Sequence, residues 1–272
     1  MTGILMNVFS LLFTVNVSLA QDSLPQKSTC EKRYVISFQD DAPGFFIDKN
    51  NKKNGTAYEL LLEIVRRLGC KSTEQVNSYL IARENMVRNK IDIYALGTPD
   101  DRFAKSAEFV EMYRIPRYLV VNKRYVSGEA TIESVLANPK VSFGNVLEGR
   151  LFIKELEMKA LVAKHRLREY PGPGLVFKAL LDGRIQATFS SPAFNYYYLT
   201  TENRMQDFYS IEDVKGEPII SGFHLSKKRL SEKERAEIRK IITDIRQDGT
   251  LAKIVKKYVN SEDLKHYQPL TQ

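Results

Sequence analysis

Tryptophan is absent from the 272-residue chain, and cysteine and histidine are scarce, with two and three residues respectively. The two cysteines, Cys30 and Cys70, lack the Cys-x-x-Cys spacing of a redox site. The histidines lie far apart and show no spacing typical of metal ligands (His165, His224 and His266). Because a metal site needs several ligands brought together, we expect no bound metal.

Sequence motifs for catalysis and for nucleotide binding are also missing. The chain contains no P-loop, no Gly-x-Gly-x-x-Gly dinucleotide fingerprint and no Gly-x-Ser-x-Gly nucleophile elbow. We therefore expect no cofactor and no enzymatic activity.

Runs of five or more lysines and arginines do not occur, although the formal net charge is +8. A net positive charge can attract nucleic acid, an acidic surface or an anionic ligand. The basic residues are mixed with acidic ones along the helical segments, which indicates solvated helix faces. Since zinc-finger and RNA-binding signatures are absent as well, we expect no nucleic-acid partner.

The overall composition, with 27% charged and 43% hydrophobic residues, is typical of a soluble globular protein. Residues 1–20 carry no charge and end in Ser18-Leu19-Ala20, a small-x-small cleavage site. This pattern predicts a secretory signal peptide over residues 1–20, with a core helix as the alternative. The mature protein is then expected to be soluble and periplasmic.

If the protein is exported, its two cysteines can form a disulfide. Cys30 lies just before the first predicted strand, and Cys70 lies just after the first long helix. An oxidising compartment favours pairing, so we predict a Cys30–Cys70 disulfide, with two unpaired thiols as the alternative.

Strand and helix patterns alternate along the chain. Residues 33–38 predict a strand, and two Ser/Thr-x-x-Glu capping boxes predict helix starts, at Thr56 with Glu59 and at Ser231 with Glu234.

The most informative stretch spans residues 91–113. Its apolar start predicts a buried strand, which Gly97 and Pro99 end as turn residues. Asp100, Asp101 and Arg102 follow on the loop, where open α/β sheets place their ligands. The guanidinium of Arg102 can grip a carboxylate or phosphate through two parallel hydrogen bonds. The alternative is a solvated ion pair with one of the two neighbouring aspartates.

This stretch resembles the signature of the bacterial solute-binding proteins of family 3, the amino-acid-binding type. The family pattern has an isoleucine–aspartate pair, a short strand, a threonine, an arginine and a later aromatic residue. The matching residues here are Lys90-Ile91-Asp92, Thr98, Arg102 and Tyr113. The resemblance extends over almost the whole mature chain, including the Gly249-Thr250-Leu251 unit between two amphipathic helices.

The resemblance implies a mixed α/β fold with two lobes, the type II periplasmic-binding-protein fold. A ligand cleft lies between the lobes, which two crossing segments join. We expect lobe 1 to comprise residues 30–117 and 220–272, and lobe 2 to comprise residues 118–219.

The resemblance also implies where the ligand binds. In the family, the arginine at the position of Arg102 grips the ligand carboxylate, and an aromatic residue after the first strand stacks on the ligand. Phe45 and Phe46 match that aromatic residue, with simple packing as the alternative. The expected ligand-binding set is Arg102, Phe45, Phe46, Thr98, Gly97, Arg150, Ser191 and Arg83.

Two of these positions depart from the family. Amino-acid binders carry an aspartate at the position of Ser191, where it holds the ligand ammonium. We therefore expect a preference for a carboxylate or other ligand over a free α-amino acid. Arg150 stands where the family has a small hydroxyl residue, and it is a second candidate anion contact or an exposed first-turn arginine.

The function implied is that of an exported, monomeric receptor for a small polar, anionic solute. Its partner would be a membrane transporter permease or a sensor kinase. An enzyme of the same fold, such as a prephenate-type dehydratase, is the runner-up, and a signalling module without a ligand is the third alternative.

Overall fold

The computed structural model describes residues 30–126, 128–147 and 152–267. The strands, in chain order, are β1 (Arg33–Phe38), β2 (Phe46–Ile47), β3 (Lys53–Asn54), β4 (Lys71–Val76), β5 (Ile93–Gly97), β6 (Ala107–Ile115), β7 (Tyr118–Asn122), β8 (Phe143–Val146), β9 (Leu167–Tyr170), β10 (Ala187–Ser190), β11 (Phe208–Glu212) and β12 (Ile219–Ser226). The α-helices are α1 (Thr56–Arg67), α2 (Tyr79–Val87), α3 (Ile132–Ala137), α4 (Glu155–Ala163), α5 (Pro173–Leu181), α6 (Pro192–Thr201), α7 (Glu232–Gln247) and α8 (Thr250–Val255). None of the helices in these ranges has the length and apolar character that a membrane crossing requires.

Two five-stranded sheets form the framework. The first has the order β4-β1-β5-β12-β6, and the second has the order β11-β7-β10-β8-β9. In the first sheet, β1 pairs in parallel with β4 and β5, whereas β12 runs antiparallel to β5 and β6. The chain passes between the sheets twice, from β6 to β7 and from β11 to β12. This arrangement confirms the predicted α/β fold with two crossing segments.

Helices cover both faces of each sheet. Apolar side chains of α1, α7 and α8 pack with one face of the first sheet, and α2 packs with the other face. In the second sheet, α3 and α4 share one core cluster, and α5 and α6 share another. Because both faces are buried, the sequences of the central strands are nearly continuous runs of apolar residues.

The two predicted capping boxes have different outcomes. Ser231 caps α7, its backbone N–H donates to the Glu234 carboxylate at 2.7 Å, and the box is confirmed. The box predicted at Thr56 is wrong, because Thr56 is the first helical residue and Gly55, with φ of 130°, precedes it. Glu59 instead accepts a hydrogen bond from Lys257 Nζ at 2.5 Å, which links α1 to the C-terminal region.

Cys30 and Cys70 form a disulfide, as predicted. The bridge connects the residues that flank the β1–α1 unit, with a sequence separation of 40. Closing a loop of this length restricts the unfolded chain, and the chain-entropy model assigns about 4 kcal/mol of stability to it.

We expect a Cys30→Ser/Cys70→Ser variant to lose about 4 kcal/mol of unfolding free energy. Denaturant titration of the oxidised wild type and the variant measures this loss. Reductant should destabilise the wild type and leave the variant unchanged. Equal midpoints for oxidised wild type and variant would contradict a stabilising bridge.

Candidate functional site

A cleft of about 700 Å³ lies between the two sheets. Its volume is in the range of pockets that hold small organic ligands. The first-sheet side contributes the loops that follow β1, β4 and β5: Gln39 to Asp41, Ser78 to Leu80, Tyr94 and Leu96 to Arg102. The second-sheet side contributes Val146, Leu147, Phe152, Pro171 to Pro173 and Phe194. The cleft thus lies where the parallel strands of the first sheet end.

The loop after β5 forms the floor of the cleft. Gly97 ends this strand, and a Cβ atom there would lie 3.0 Å from Nε2 of His224 and 3.1 Å from Cε1 of Tyr94. Glycine therefore allows the loop to pass close over two buried rings. Gly97 and Thr98 both line the cleft, and the Thr98 carbonyl accepts a hydrogen bond from His224 Nε2 at 2.9 Å.

Arg102 lines the cleft and also forms the ion pair that the sequence left as an alternative. Its Nε donates to both carboxylate oxygens of Asp100, at 2.9 and 3.0 Å, and its Nη2 donates to the Tyr79 hydroxyl at 2.8 Å. The arginine side chain is 46% exposed, whereas the Asp100 side chain is 11% exposed. The largely buried aspartate and the tyrosine hold the guanidinium in a fixed orientation at the edge of the cleft.

Asp100 is ionised over the whole physiological range. Burial alone would raise its pKa, but hydrogen bonds from Arg102 and Tyr79 outweigh burial and lower the pKa to about 2. The Tyr79 hydroxyl is hydrogen-bonded to the same carboxylate, and burial and this bond raise the pKa of Tyr79 to about 12. The three groups form one network of opposite charges and aligned hydrogen bonds.

Asp41 differs from Asp100 because its pKa is raised instead of lowered. It is half-buried in the loop after β1, and its backbone carbonyl accepts the N–H of Gly44 at 2.8 Å. Burial, and then the negative charge of neighbouring Asp40, raise the pKa of the Asp41 carboxyl to about 7. No described residue donates a hydrogen bond to this carboxyl group.

An aromatic cluster lies beneath the cleft floor. His224 is buried among Tyr94, Phe103 and Phe109, with ring centroids 5.9, 4.3 and 5.0 Å away. Burial lowers the pKa of His224 to about 4, although the bond to the Thr98 carbonyl opposes the shift. The imidazole is therefore neutral at pH 7 and donates through Nε2.

His224 should make stability depend on pH. Its pKa is about 4 in the folded protein and 6.5 in the unfolded chain, so the unfolded state binds more protons between these values. Unfolding free energy should fall by about 3 kcal/mol as pH drops from 6.5 to 4, and should not change through this group above pH 6.5.

Denaturant unfolding of the wild type and His224→Gln at several pH values measures this dependence. The variant should have a smaller slope over the acidic range, whatever its stability at pH 7. Identical slopes in both proteins would contradict the assignment.

The remaining candidates lie elsewhere, outside the residues that line the cleft. Phe45 is buried in the core and stacks on Phe38 at 4.7 Å, which favours the packing alternative. Phe46 is half-buried and contacts the Tyr197 ring of α6 at 5.2 Å. Ser191 is buried and caps α6, because its hydroxyl accepts the Phe194 N–H at 3.4 Å.

Two arginines complete the predicted set. Arg83 is half-buried on α2 and is not among the cleft-lining residues. Arg150 lies outside the described residues. The structure thus brings three predicted positions together around the cleft: Gly97, Thr98 and Arg102.

Sequence reasoning missed the acidic side of the cleft. Asp40 and Asp41 line it, as do Tyr79 and Tyr94. The two aspartates lie two and three residues after the carboxyl end of β1, which is the position where α/β sheets bind ligands. Their position after β1 could have identified them, but Phe45 and Phe46 of the same loop were predicted as the ligand contacts instead.

The polar groups of the described lining residues lie on the first-sheet side. The charged groups among them are four carboxylates and one guanidinium: Asp40, Asp41, Asp100, Asp101 and Arg102. The second-sheet side presents apolar residues, including Phe152 and Phe194. Chemically, this arrangement can bind polar groups of a solute on one wall and cover its apolar surface with the other. In the described ranges, no group of three histidine, cysteine, aspartate or glutamate residues is arranged to hold a metal.

Comparison with known proteins supports the fold at low sequence identity. A substrate-binding protein of an ABC uptake transporter from Streptococcus pneumoniae, with bound histidine, matches with a TM-score of 0.68 and 17% identity over 85% of this chain and 94% of its own. An ancestral arginine-binding protein bound to arginine matches with a TM-score of 0.67 and 20% identity over 83% and 97% of the two chains. An ancestral amino-acid-binding protein described as a precursor of cyclohexadienyl dehydratase matches with a TM-score of 0.67 and 20% identity over 84% and 96%.

No curated protein is significantly similar in sequence. The model of one protein family, however, matches residues 34–261, which is most of the chain. The two sheets, the double crossing between them and the cleft they enclose agree with that match. The chain belongs to the bacterial extracellular solute-binding proteins, family 3.

Proposed function

We propose that this protein is an exported receptor that captures a small polar solute carrying a carboxylate in the cleft between its two sheets. The observation that carries the proposal is the position of Arg102 on the cleft wall, where Asp100 and Tyr79 orient its guanidinium. A planar guanidinium in such a position binds a carboxylate through charge-assisted hydrogen bonds. The carboxylate retains the anionic character expected from the sequence.

We further propose that residues 30–117 with 220–272 and residues 118–219 move as two lobes. The strands of the first sheet lie before residue 116 and after residue 218, and those of the second sheet lie between. A solute that touches both walls stabilises the closed arrangement, because only that arrangement forms all the contacts.

The solute class that we propose is amino-acid-like, since two of the similar structures contain bound arginine and bound histidine. The receptor would act as a monomer in the periplasm, after removal of residues 1–20. It would deliver the solute to a membrane transporter or report it to a sensor.

Thermal-shift screening of the mature protein against amino acids and organic acids tests this proposal. A ligand at a hundred times its dissociation constant should stabilise the native state by about 2.7 kcal/mol. Small-angle scattering with the best ligand should show a smaller radius of gyration. No thermal shift with either class, and no change in scattering, would contradict the proposal.

A lyase of the same fold is the second candidate. One similar structure is described as a precursor of cyclohexadienyl dehydratase, and a half-buried carboxyl group with a pKa of about 7 suits proton donation near neutral pH. Incubation with prephenate, followed by chromatography, separates the two functions. A receptor returns the compound unchanged, whereas a dehydratase converts it with turnover.

A further inference from the structure

We propose that the rings of Phe46 and Tyr197 form a clasp between the two lobes, outside the cleft, that sets the affinity for every solute the cleft accepts. Phe46 lies on β2 in the first lobe, and Tyr197 lies on α6 in the second. The clasp stabilises the closed arrangement without contacting the solute. This inference rests on the lobe closure proposed above.

The ring pair is a direct contact between the two lobes. The ring centroids are 5.2 Å apart and the planes are inclined by 51°, which is within the range of favourable aromatic pairs. Both residues are half-buried. Neither is among the residues that line the cleft. The contact therefore holds the lobes together at a place that the solute does not reach.

The Phe46 ring is anchored within the first lobe. It packs edge-to-face on the ring of Tyr258, with centroids 6.2 Å apart. Tyr258 is itself buried, and its hydroxyl accepts the N–H of Gly55 at 2.9 Å and donates to the Glu59 carboxylate of α1. Because Tyr258 is fixed in this way, Phe46 presents its ring to α6 in a defined position.

The Tyr197 ring is anchored within the second lobe. It lies edge-on to the neighbouring Tyr198 ring, with centroids 5.1 Å apart. Tyr198 in turn stacks on Phe177 of α5 at 4.7 Å. A chain of aromatic contacts thus runs from the first lobe to the second, and the Phe46–Tyr197 contact is its link between the lobes.

Other apolar residues of the second lobe also contact the first. Ala193 of α6 and Phe152, which precedes α4, pack against the core cluster of the first sheet. The lobes are therefore in apolar contact in the arrangement that the structure describes. The ring pair belongs to this interface.

Opening of the lobes should separate the two rings. The lobes are joined between β6 and β7 and between β11 and β12, and neither ring lies in these segments. A rotation about the crossings changes the distance between residues that lie away from them. Loss of an aromatic pair worth about 0.5–1.5 kcal/mol should lower the ratio of closed to open protein about twofold to tenfold. Observed affinity scales with the population of the binding-competent state.

The clasp gives Phe46 a different role from the one that the sequence predicted. A ring that stacks on the solute should contribute differently to solutes of different shape. A clasp that contacts no solute should contribute the same factor to each of them. This difference provides a readout that separates the two roles.

Calorimetric titration with L-arginine, L-histidine and succinate, together with small-angle scattering of the unliganded protein, tests the inference. Phe46→Ala and Tyr197→Ala should each raise the dissociation constant about twofold to tenfold, by one common factor for every probe that binds. A larger radius of gyration should accompany this loss where the unliganded wild type is largely closed. The double variant should lose no more than the single variants, because both remove the same contact.

Ile47→Ala is the matched control. Ile47 is the next residue of β2, its side chain points to the opposite face of the strand, and it is 55% exposed. This variant should change neither affinity nor radius of gyration. Melting temperatures identify any loss of folding. If Phe46→Ala does not fold, Phe46→Leu carries the test, because it keeps an apolar side chain and removes the aromatic pair.

The outcomes separate the inference from the proposed function. Losses that differ among the probes, or that add in the double variant, would overturn the clasp and leave the receptor function standing. Unchanged dissociation constants and an unchanged radius of gyration would do the same. If no probe binds to the wild type, the proposed function loses its support. The radius of gyration then decides the clasp alone, and an unchanged value in both single variants contradicts it.

Discussion

Replacing Arg102 by alanine should raise the dissociation constant of the solute about thirtyfold to several-thousandfold. The guanidinium and the solute carboxylate would form a charge-assisted pair inside a closed cleft, and loss of one partner of such a pair costs about 2–5 kcal/mol. At about 1.4 kcal/mol per decade, this cost gives the expected range. Arg102→Lys should restore only part of the affinity, because an ammonium lacks the planar fork.

The fold should survive this substitution. Arg102 is 46% exposed on a loop, and its pair with Asp100 is a partly exposed one. Arg88→Ala is the matched control, because Arg88 lies at the end of α2 in the same part of the chain and pairs with Glu84 at 2.6 Å. Calorimetry on the best ligand from the screen, with melting temperature recorded, should show a loss of affinity in Arg102→Ala alone. Unchanged affinity would show that Arg102 serves only its ion pair.

Replacing Arg117 by methionine should lower the unfolding free energy by about 3–5 kcal/mol. Arg117 lies in the first crossing segment and is 4% exposed. Its guanidinium donates to both Glu157 oxygens, at 2.5 and 2.9 Å, and to Asp213 at 3.0 Å. Removing the arginine leaves two largely buried carboxylates without their main partner, which accounts for the expected size of the loss.

Arg114 provides the control for Arg117. It lies three residues earlier, is 46% exposed, and pairs with Glu111 at 2.8 Å. Arg114→Met should change the unfolding free energy by about 1 kcal/mol at most. Denaturant titration of both variants makes the comparison. Adding Glu157→Gln and Asp213→Asn to Arg117→Met should restore part of the loss, because the unpaired charges disappear. If Arg117→Met and Arg114→Met lost equal amounts of unfolding free energy, burial of the Arg117 ion pairs would not explain the loss.

Local patterns predicted much of this architecture. The apolar run that ends at Gly97 forms β5, the Ser231 box caps α7, and the cysteines pair. The strand and the cap depend on neighbours within a few residues, which the sequence shows directly, and the cysteine pairing was predicted from the expectation of export. The crossings between the sheets followed from the family resemblance rather than from any local pattern.

The features that failed depend on contacts between distant segments. The Thr56 hydroxyl lies near the Pro43 carbonyl, at 3.4 Å, instead of capping its helix. Of two adjacent phenylalanines, Phe45 points into the core, which the sequence could not decide. The raised pKa of Asp41 arises mainly from burial in the folded cleft, so it could not be predicted from the Asp-Asp dipeptide in the sequence.

The central claim is that a solute is held between the two sheets with its carboxylate on Arg102. A crystal structure of the mature protein with the best ligand from the screen tests it most directly. The account predicts a solute carboxylate oxygen about 3 Å from the Arg102 guanidinium, with both walls of the cleft in contact with the solute. A solute bound outside the cleft, or bound within it without touching Arg102, would contradict the account.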